Sequence, residues 1–265
     1  MKQTLARLMR DPFYRTYRVL FYSLRSRKRY VPCSVRVNGW MLDVPDTASF
    51  LSGYRGIFVD KTYFFKTDTE RPRIVDLGAN IGLSILYFKS LYPKAEVCAF
   101  EADPGVFQYL LRNVHGNGFQ DVTLINKAAW HEKATLCFLS EGSDAGRVAS
   151  SLDKTGSIEV EAVDVFEVIA KGRVDFLKID IEGAEVAVLG RCRLALAGVQ
   201  RIFVEYHSRS SEQQKLAFLL EILESQGFRY QIRSTWGSPH PFSERQLVAG
   251  YDMMLNIYAW REGSC

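Results

Sequence analysis

Ile74-Val75-Asp76-Leu77-Gly78-Ala79-Asn80-Ile81-Gly82, followed by Glu101, is the stretch that decides the fold. The apolar run into Asp76 reads as a short buried strand, Gly78 as a tight turn, and Ile81–Leu91 as a helix. A second strand, Glu96–Phe100, then delivers the acid Glu101. A strand, glycine turn, helix and acid-tipped strand hold a nucleoside-bearing cofactor at the edge of a parallel sheet. Gly78 permits a turn where a Cβ would clash, and Gly82 permits close approach of helix backbone or ligand. N–H groups at the helix start are expected to be free to donate to polar cofactor groups. Glu101 is suited to accept both hydroxyls of a ribose.

The turn also discriminates between cofactors. A dinucleotide fingerprint needs glycine at 78, 80 and 83, and this chain has Asn80 and Leu83. A pyrophosphate would meet side chains where it needs bare backbone. S-adenosylmethionine has no phosphate and tolerates Asn80, so it is favoured over a nicotinamide or flavin, and a dehydrogenase is disfavoured.

Working outward, strands Arg73–Leu77, Glu96–Phe100, Val122–Asn126, Val174–Ile179 and Arg201–Tyr206 alternate with helices Ile81–Leu91, Pro104–Val114, Ala184–Leu189 and Ser211–Gln226. A hairpin, Ala134–Leu139 with Ile158–Ala162, interrupts the series, and two strands near Phe228–Ile232 and Met253–Tyr258 close it. Repeated βα units imply a parallel sheet with right-handed crossovers. The expected fold is α/β and Rossmann-like: a mostly parallel seven-stranded sheet with an antiparallel edge strand. Residues 73–265 form this domain. Residues 31–72 hold a hairpin around Asn38-Gly39 and an aromatic-rich segment read as packing or as a cap over the substrate. The polar Ser/Gly loop Glu141–Gly156 is a lid or a plain surface loop.

With 265 residues the chain is long enough for one large domain and a small appendage. No apolar run approaches the roughly 18–20 residues of a membrane span. The five cysteines, Cys33, Cys98, Cys137, Cys192 and Cys265, are scattered and lack paired spacing, which argues for a reducing compartment and against a zinc site. Residues 1–30 carry nine basic side chains and one acid, Asp11, a net +8 against +4 for the whole chain, which leaves the remainder at −4. Leu5, Leu8, Met9, Phe13, Tyr17, Leu20, Phe21 and Leu24 recur there at helical spacing, and Pro12 starts a helix. The arm lacks the uninterrupted apolar region of a signal peptide. It reads either as an amphipathic helix on an anionic membrane surface or as a helix packed on the domain with a solvated basic face. No motif for reading nucleic acid accompanies the charge, and none is expected to bind.

Ligands in such a sheet sit at the carboxyl ends of the strands. Asp76 and Glu101 end the first two strands, and Asn126, Lys127 and Ala128 the third. Asp180 and Glu182 end the fourth, Glu205 and His207 the fifth. A period of two would put Asp180 with Glu182, and Glu205 with His207, on common faces. Methyl transfer to oxygen needs alignment of the reactants and removal of a proton. His207 is the expected general base, with Glu205 or Asp180 orienting it or holding an acceptor hydroxyl. Asp180, Glu182 and His207 could also bridge a divalent metal, although the metal-free version is preferred because histidine is an unusual partner for Mg²⁺ or Ca²⁺. Lys178 is placed to pair with one of these acids.

Three stretches resemble the FkbM family of S-adenosylmethionine-dependent methyltransferases: Val75–Gly82, Phe100-Glu101-Ala102-Asp103-Pro104, and Phe176–Glu185 with its Asp180-Ile181-Glu182-Gly183-Ala184-Glu185 run; Glu205 and His207 add to the likeness. The resemblance spans about three-fifths of the chain. It implies a class I methyltransferase fold and O-methylation, commonly of a sugar hydroxyl or a polyketide. It implies that Asp76, Gly78, Asn80 and Glu101 contact S-adenosylmethionine, with Ala79, Gly82, Ala128 and Asp180 completing the cofactor contacts. Asp180, Glu182 and His207 would then face the acceptor. The leading expectation is a cytoplasmic enzyme, peripheral to the inner membrane face, that methylates a saccharide or glycolipid in surface polysaccharide biosynthesis. A polyketide or other small-molecule acceptor is the alternative, as is a non-catalytic membrane-associated module on the same fold.

Overall fold

The computed structural model describes residues 7, 9–142, 146–148 and 156–263. Leu5 and Leu8 of the arm, Ser143, Ser150 and Ser151 of the loop, and Cys265 lie outside them.

Asp11 caps helix α1, Pro12–Leu24, accepting the Tyr14 N–H at 3.1 Å, and Pro12 occupies the first turn, where its missing N–H costs nothing. Strands β1, Cys33–Val37, and β2, Trp40–Val44, form the expected hairpin. Asn38 and Gly39 both adopt positive φ, 51° and 89°, as a two-residue primed turn requires. Asp46 caps α2, Thr47–Tyr54, which runs into a π-helical turn, Arg55–Val59. The aromatics of this segment are mostly packing. Tyr54 stacks on Phe58 with centroids 4.8 Å apart, Phe65 stacks on Phe176 at 4.8 Å, and Phe13 of α1 meets Phe58 at 5.5 Å.

From here strand and helix alternate: β3 (Arg73–Leu77), α3 (Leu83–Leu91), β4 (Glu96–Phe100), α4 (Pro104–His115) and β5 (Thr123–Ile125). Strands β6 (Ala128–Trp130), β7 (Ala134–Leu139), β8 (Arg147–Val148) and β9 (Ile158–Asp164) follow, then α5 (Phe166–Ile169), β10 (Phe176–Ile179), α6 (Glu185–Cys192), β11 (Arg201–Arg209), α7 (Leu216–Ser225), β12 (Arg229–Gly237) and β13 (Tyr251–Trp260). The main sheet has seven strands in the order β12-β13-β11-β10-β3-β4-β5. Strands β11, β10, β3, β4 and β5 are parallel.

Three features differ from the sequence expectation. The antiparallel strand is β13, and it lies one place in from the edge, between β11 and β12. A long β12–β13 hairpin has to insert its second strand beside β11 to bury Leu255, Ile257 and Ala259. The residues after β5 also form a separate four-stranded sheet, β6-β9-β7-β8, in which β6 pairs parallel with β9. Local alternation marks these strands but not the sheet they join. In addition, α7 begins at Leu216 rather than at Ser211.

Alternation along the parallel strands feeds two apolar layers. Ile74, Val97, Ala99 and Phe203 face one, and Val75, Leu77, Ile202 and Val204 face the other. The first layer continues without a break into Leu20 and Leu24 of α1 and into the hairpin and cap. The boundaries at 30/31 and 72/73 therefore divide the chain but not its core. β4 and β10 flank β3 on opposite sides, so the strand order reverses at β3 and a crevice opens above its carboxyl end.

Candidate active site

The turn after β3 is built tightly. Gly78 has φ +90°, and a Cβ there would lie 1.9 Å from the Asp180 carbonyl oxygen. The N–H groups of Gly78 and Ala79 both donate to the Phe100 carbonyl, at 3.0 and 2.8 Å. Asn80 N–H donates to Glu101 at 2.9 Å, Ile81 N–H to the Asn80 side chain at 2.6 Å, and Gly82 N–H to the Ala79 carbonyl at 2.9 Å. These five amides of the turn are thus engaged inside the protein, ahead of the helix start at Leu83. Of the two approaches read for Gly82, helix or ligand, the structure shows the helix. A Cβ there would meet Val114 and Leu110 of α4 at 2.9 and 3.0 Å, and the residue lines neither cleft described below, so the close approach it permits is that of a helix.

Glu101 accepts the N–H groups of Asn80 and Asp103, each at 2.9 Å, and burial raises its pKa to about 7. It lines a first cleft together with Gly78, Asn80, Asp180, Val106, Ala128 and Phe138. An acid together with apolar side chains in one cleft suits the ribose and base of a nucleoside. Ala128 reaches this cleft from β6 of the second sheet, not from the main sheet. Asp76 lines neither cleft. It is fully buried, accepts the Ser84 hydroxyl at 2.5 Å and lies 3.2 Å from Lys178 Nζ, so the expected direct cofactor contact gives way to support from behind the turn.

Strand β10 stops at Ile179, so the period-two argument for Asp180 and Glu182 does not apply. A turn brings them to the rim instead, with Glu182 at φ +52° and Gly183 at +105°. Glu185, at the start of α6, stabilises that turn by accepting the Gly183 N–H at 2.9 Å. Strand β11 does continue through His207, and Glu205 and His207 line one cleft as the period predicts.

His207 is enclosed by acids. Its Nδ1 lies 3.0 Å from Glu185 and its Nε2 lies 3.7 Å from Glu182. Tyr251 donates its hydroxyl to Glu182 at 2.8 Å, and Arg209 donates to Tyr251 at 3.0 Å. Burial alone would push the imidazole pKa down, but hydrogen bonding and attraction to Glu185, then Glu182 and Asp180, raise it to about 10. The acids around the ring thus favour its protonated form, which weighs against the expected role of His207 as general base. Burial, reinforced by neighbouring carboxylates, lifts Glu182 to about 7 and Glu205 to about 8. Buried Lys178 stays charged because Asp76 and Asp180 outweigh its desolvation; it also donates to the Gly78 carbonyl at 2.7 Å.

A second, larger cleft is lined by Tyr63, Lys178, Glu205, His207, Tyr251 and Asn256, with Ser49 and Ser52 from the cap and Arg29 and Tyr30 from the segment before the hairpin. The two clefts share Gly78, Asn80, Asp180 and Glu182. Candidate ligand atoms of Asp180, Glu182 and His207 lie within 4.8 Å of one another, close enough to converge on a cation. Asp180 already pairs with Lys178 at 3.3 Å, and Glu182 with Tyr251. Glu185 and Tyr251 were not legible as site residues. Glu185 reads in sequence as a favourable charge at a helix start, and Tyr251 lies just before the strand expected at Met253–Tyr258.

The methyltransferase FkbM domain model matches residues 76–230. Methyltransferase 1 of Beauveria bassiana is 27% identical over 213 residues, covering 70% of this chain and 84% of that protein. The 31-O-demethyl-FK506 methyltransferase FkbM of Streptomyces tacrolimicus is 29% identical over 188 residues, covering 58% and 69% respectively. Among solved structures, M. jannaschii TYW2 in complex with AdoMet aligns with a TM-score of 0.49 and 15% identity over 89% of this chain and 88% of that one.

Proposed function

The chain belongs to the FkbM family of methyltransferases, and on that footing we propose that it transfers the methyl group of S-adenosylmethionine to a hydroxyl oxygen of a saccharide or glycolipid. The observation that carries this reading is the junction of the two clefts at Asp180 and Glu182, with Glu101 and apolar side chains lining one cleft and hydrogen-bond acceptors lining the other.

S-adenosylmethionine supplies an electrophilic methyl group when bound. Glu101 holds the ribose, and its paired amides fix its orientation. Asp180 and Glu182 accept hydrogen bonds from acceptor hydroxyls at the junction. Glu205 takes the hydroxyl proton; no hydrogen bond or ion pair engages it among the described residues, and its raised pKa suits a base near neutral pH. His207, clamped between Glu185 and Glu182, positions Glu182 and offsets the negative charge around it. A polyhydroxylated acceptor can donate to several of these carboxylates at once, whereas an apolar one would leave Glu205 without a partner. The commitments of Asp180 to Lys178 and of Glu182 to Tyr251 favour a metal-free reaction, and activity is expected to survive EDTA. We place the enzyme in the cytoplasm, in surface polysaccharide assembly, with its basic arm against the membrane.

A second reading has one observation in its favour, the relative named for 31-O-demethyl-FK506. It makes the acceptor a polyketide alcohol. Titration calorimetry with S-adenosylhomocysteine, with NADH as control, tests the donor; binding of NADH alone would overturn it. A methyl-transfer screen of neutral saccharides against polyketide alcohols tests the acceptor, and turnover confined to the alcohols would favour the second reading.

A further inference from the structure

Arg29 and Tyr30 line the acceptor cleft, and they also belong to a cationic, aromatic surface that methyl transfer leaves unexplained. Arg15, Arg25, Arg27 and Lys28 are exposed, and among the described residues none has a carboxylate within ion-pair distance. Between and beside them stand Val19, 66% exposed, Tyr22, 57%, Tyr30, 54%, and Val31, 47%. The Arg25 guanidinium lies over the Tyr22 ring, 5.2 Å from its centroid.

The cleft end of this surface is built rather than loose. Asp46, itself buried, pairs with Arg29 at 2.7 Å and accepts the Tyr30 N–H at 3.1 Å. That anchor holds Tyr30 at φ +58° with its ring exposed.

We propose that this surface docks on anionic phospholipid headgroups, so that the cleft opens at the bilayer and the hydroxyl it methylates belongs to a membrane-anchored amphiphile. The inference rests on the methyl-transfer reading for its substrate and on the surface alone for its partner. Charge complementarity selects the partner. Residues 1–30 carry +8 and the remainder −4, so an anionic bilayer attracts one face and repels the rest, which sets the orientation as well as the affinity. Tyr22 and Tyr30 have the apolar body and polar tip that suit the headgroup layer, and arginine and lysine stems bury beside them. Inside the cleft Asp180, Glu182 and Glu205 offer hydrogen-bond acceptors to neutral hydroxyls.

The test uses the full chain with vesicles of phosphatidylglycerol mixed with phosphatidylcholine, against pure phosphatidylcholine vesicles. Co-sedimentation is expected only with the anionic vesicles, and Arg25→Glu/Arg27→Glu/Lys28→Glu is expected to weaken it by at least about tenfold. Hydrogen exchange on the vesicles is expected to slow in residues 12–32 and 45–53 and to stay unchanged in residues 166–200. Equal binding to both vesicle types, protection confined to other segments, or tighter binding to a short RNA duplex than to the anionic vesicles would overturn the proposal. S-adenosylhomocysteine affinity, measured on the same samples, is expected to be unaltered by the triple substitution. Its absence from the wild-type protein would count against the methyl-transfer reading, not against the docking surface.

Discussion

At the scale of single residues, the site depends on atoms with no room to move. Gly78→Ala would drive a methyl group into the Asp180 carbonyl at a backbone angle of +90°. It is expected to lose S-adenosylhomocysteine binding and several kcal/mol of stability, on the order of the upper range for strain at special backbone positions. Calorimetry and thermal unfolding read the two effects separately. Glu101→Ala is expected to weaken S-adenosylhomocysteine binding by about 1–3 kcal/mol, the cost of leaving a polar ligand group unpaired. Unchanged affinity would remove Glu101 from the ribose site. Glu205 makes a prediction about pH. Its pKa is about 8 in the folded protein against an ordinary 4.5, so the folded state binds this proton more tightly. That contribution is complete below about pH 4.5 and is lost as pH rises through about 8. Glu182, up to about 7, and His207, up to about 10, act with the same sign. Ligand-free protein should therefore lose stability steadily from about pH 5 to pH 10. Glu205→Gln should be more stable than wild type at pH 8, by on the order of 2 kcal/mol. Parallel unfolding curves for the two proteins across this range would contradict a buried, ionisable Glu205.

At the scale of elements, Asn113 shows how helices and hairpin are tied to the glycine turn. From α4 its side chain accepts the Asp43 N–H at 2.7 Å and donates to the carbonyls of Asp43 and Ile81, both at 3.0 Å. Asn113→Ala strands three backbone groups and is expected to cost about 2–3 kcal/mol, read as a shift in the denaturant midpoint. A loss within the range of an ordinary surface substitution would show that water replaces the bonds. The elements themselves were largely legible. Hairpin β1–β2, the alternation from β3 to β11, the proline starts of α1 and α4 and the Gly227 close of α7 all follow from local chemistry. The separate sheet of β6 to β9 was not, because pairing β6 with β9 joins residues more than thirty positions apart and leaves no local trace. The insertion of β13 was missed for the same reason.

At the scale of the whole molecule, the basic arm is part of the core on one face and free on the other. Leu20 and Leu24 are buried in the layer that also holds Phe58, Tyr54 and Phe88. Deleting residues 1–24 is therefore expected to destabilise the protein, by at least about 1.5–3 kcal/mol for each of these leucines, and to expose apolar surface detectable by dye binding. A truncated chain as stable as the full one would show that α1 does not support the cap. Charge reversal on the exposed face is the substitution that separates surface chemistry from folding.

What this sequence determined by itself was whatever short-range sterics and periodicity control: the glycine turn that only a residue without a Cβ can make, the choice against a pyrophosphate, the order of strands and helices, and the acids delivered to one rim. Tertiary structure alone decided which of those groups meet. Glu185 binds His207 across 22 positions, Lys178 reaches the Gly78 carbonyl across 100, and Tyr251 reaches Glu182 across 69. The protonation of His207 and Glu205 depends on that enclosure, because burial and neighbouring charge set a pKa and neither is encoded in local sequence.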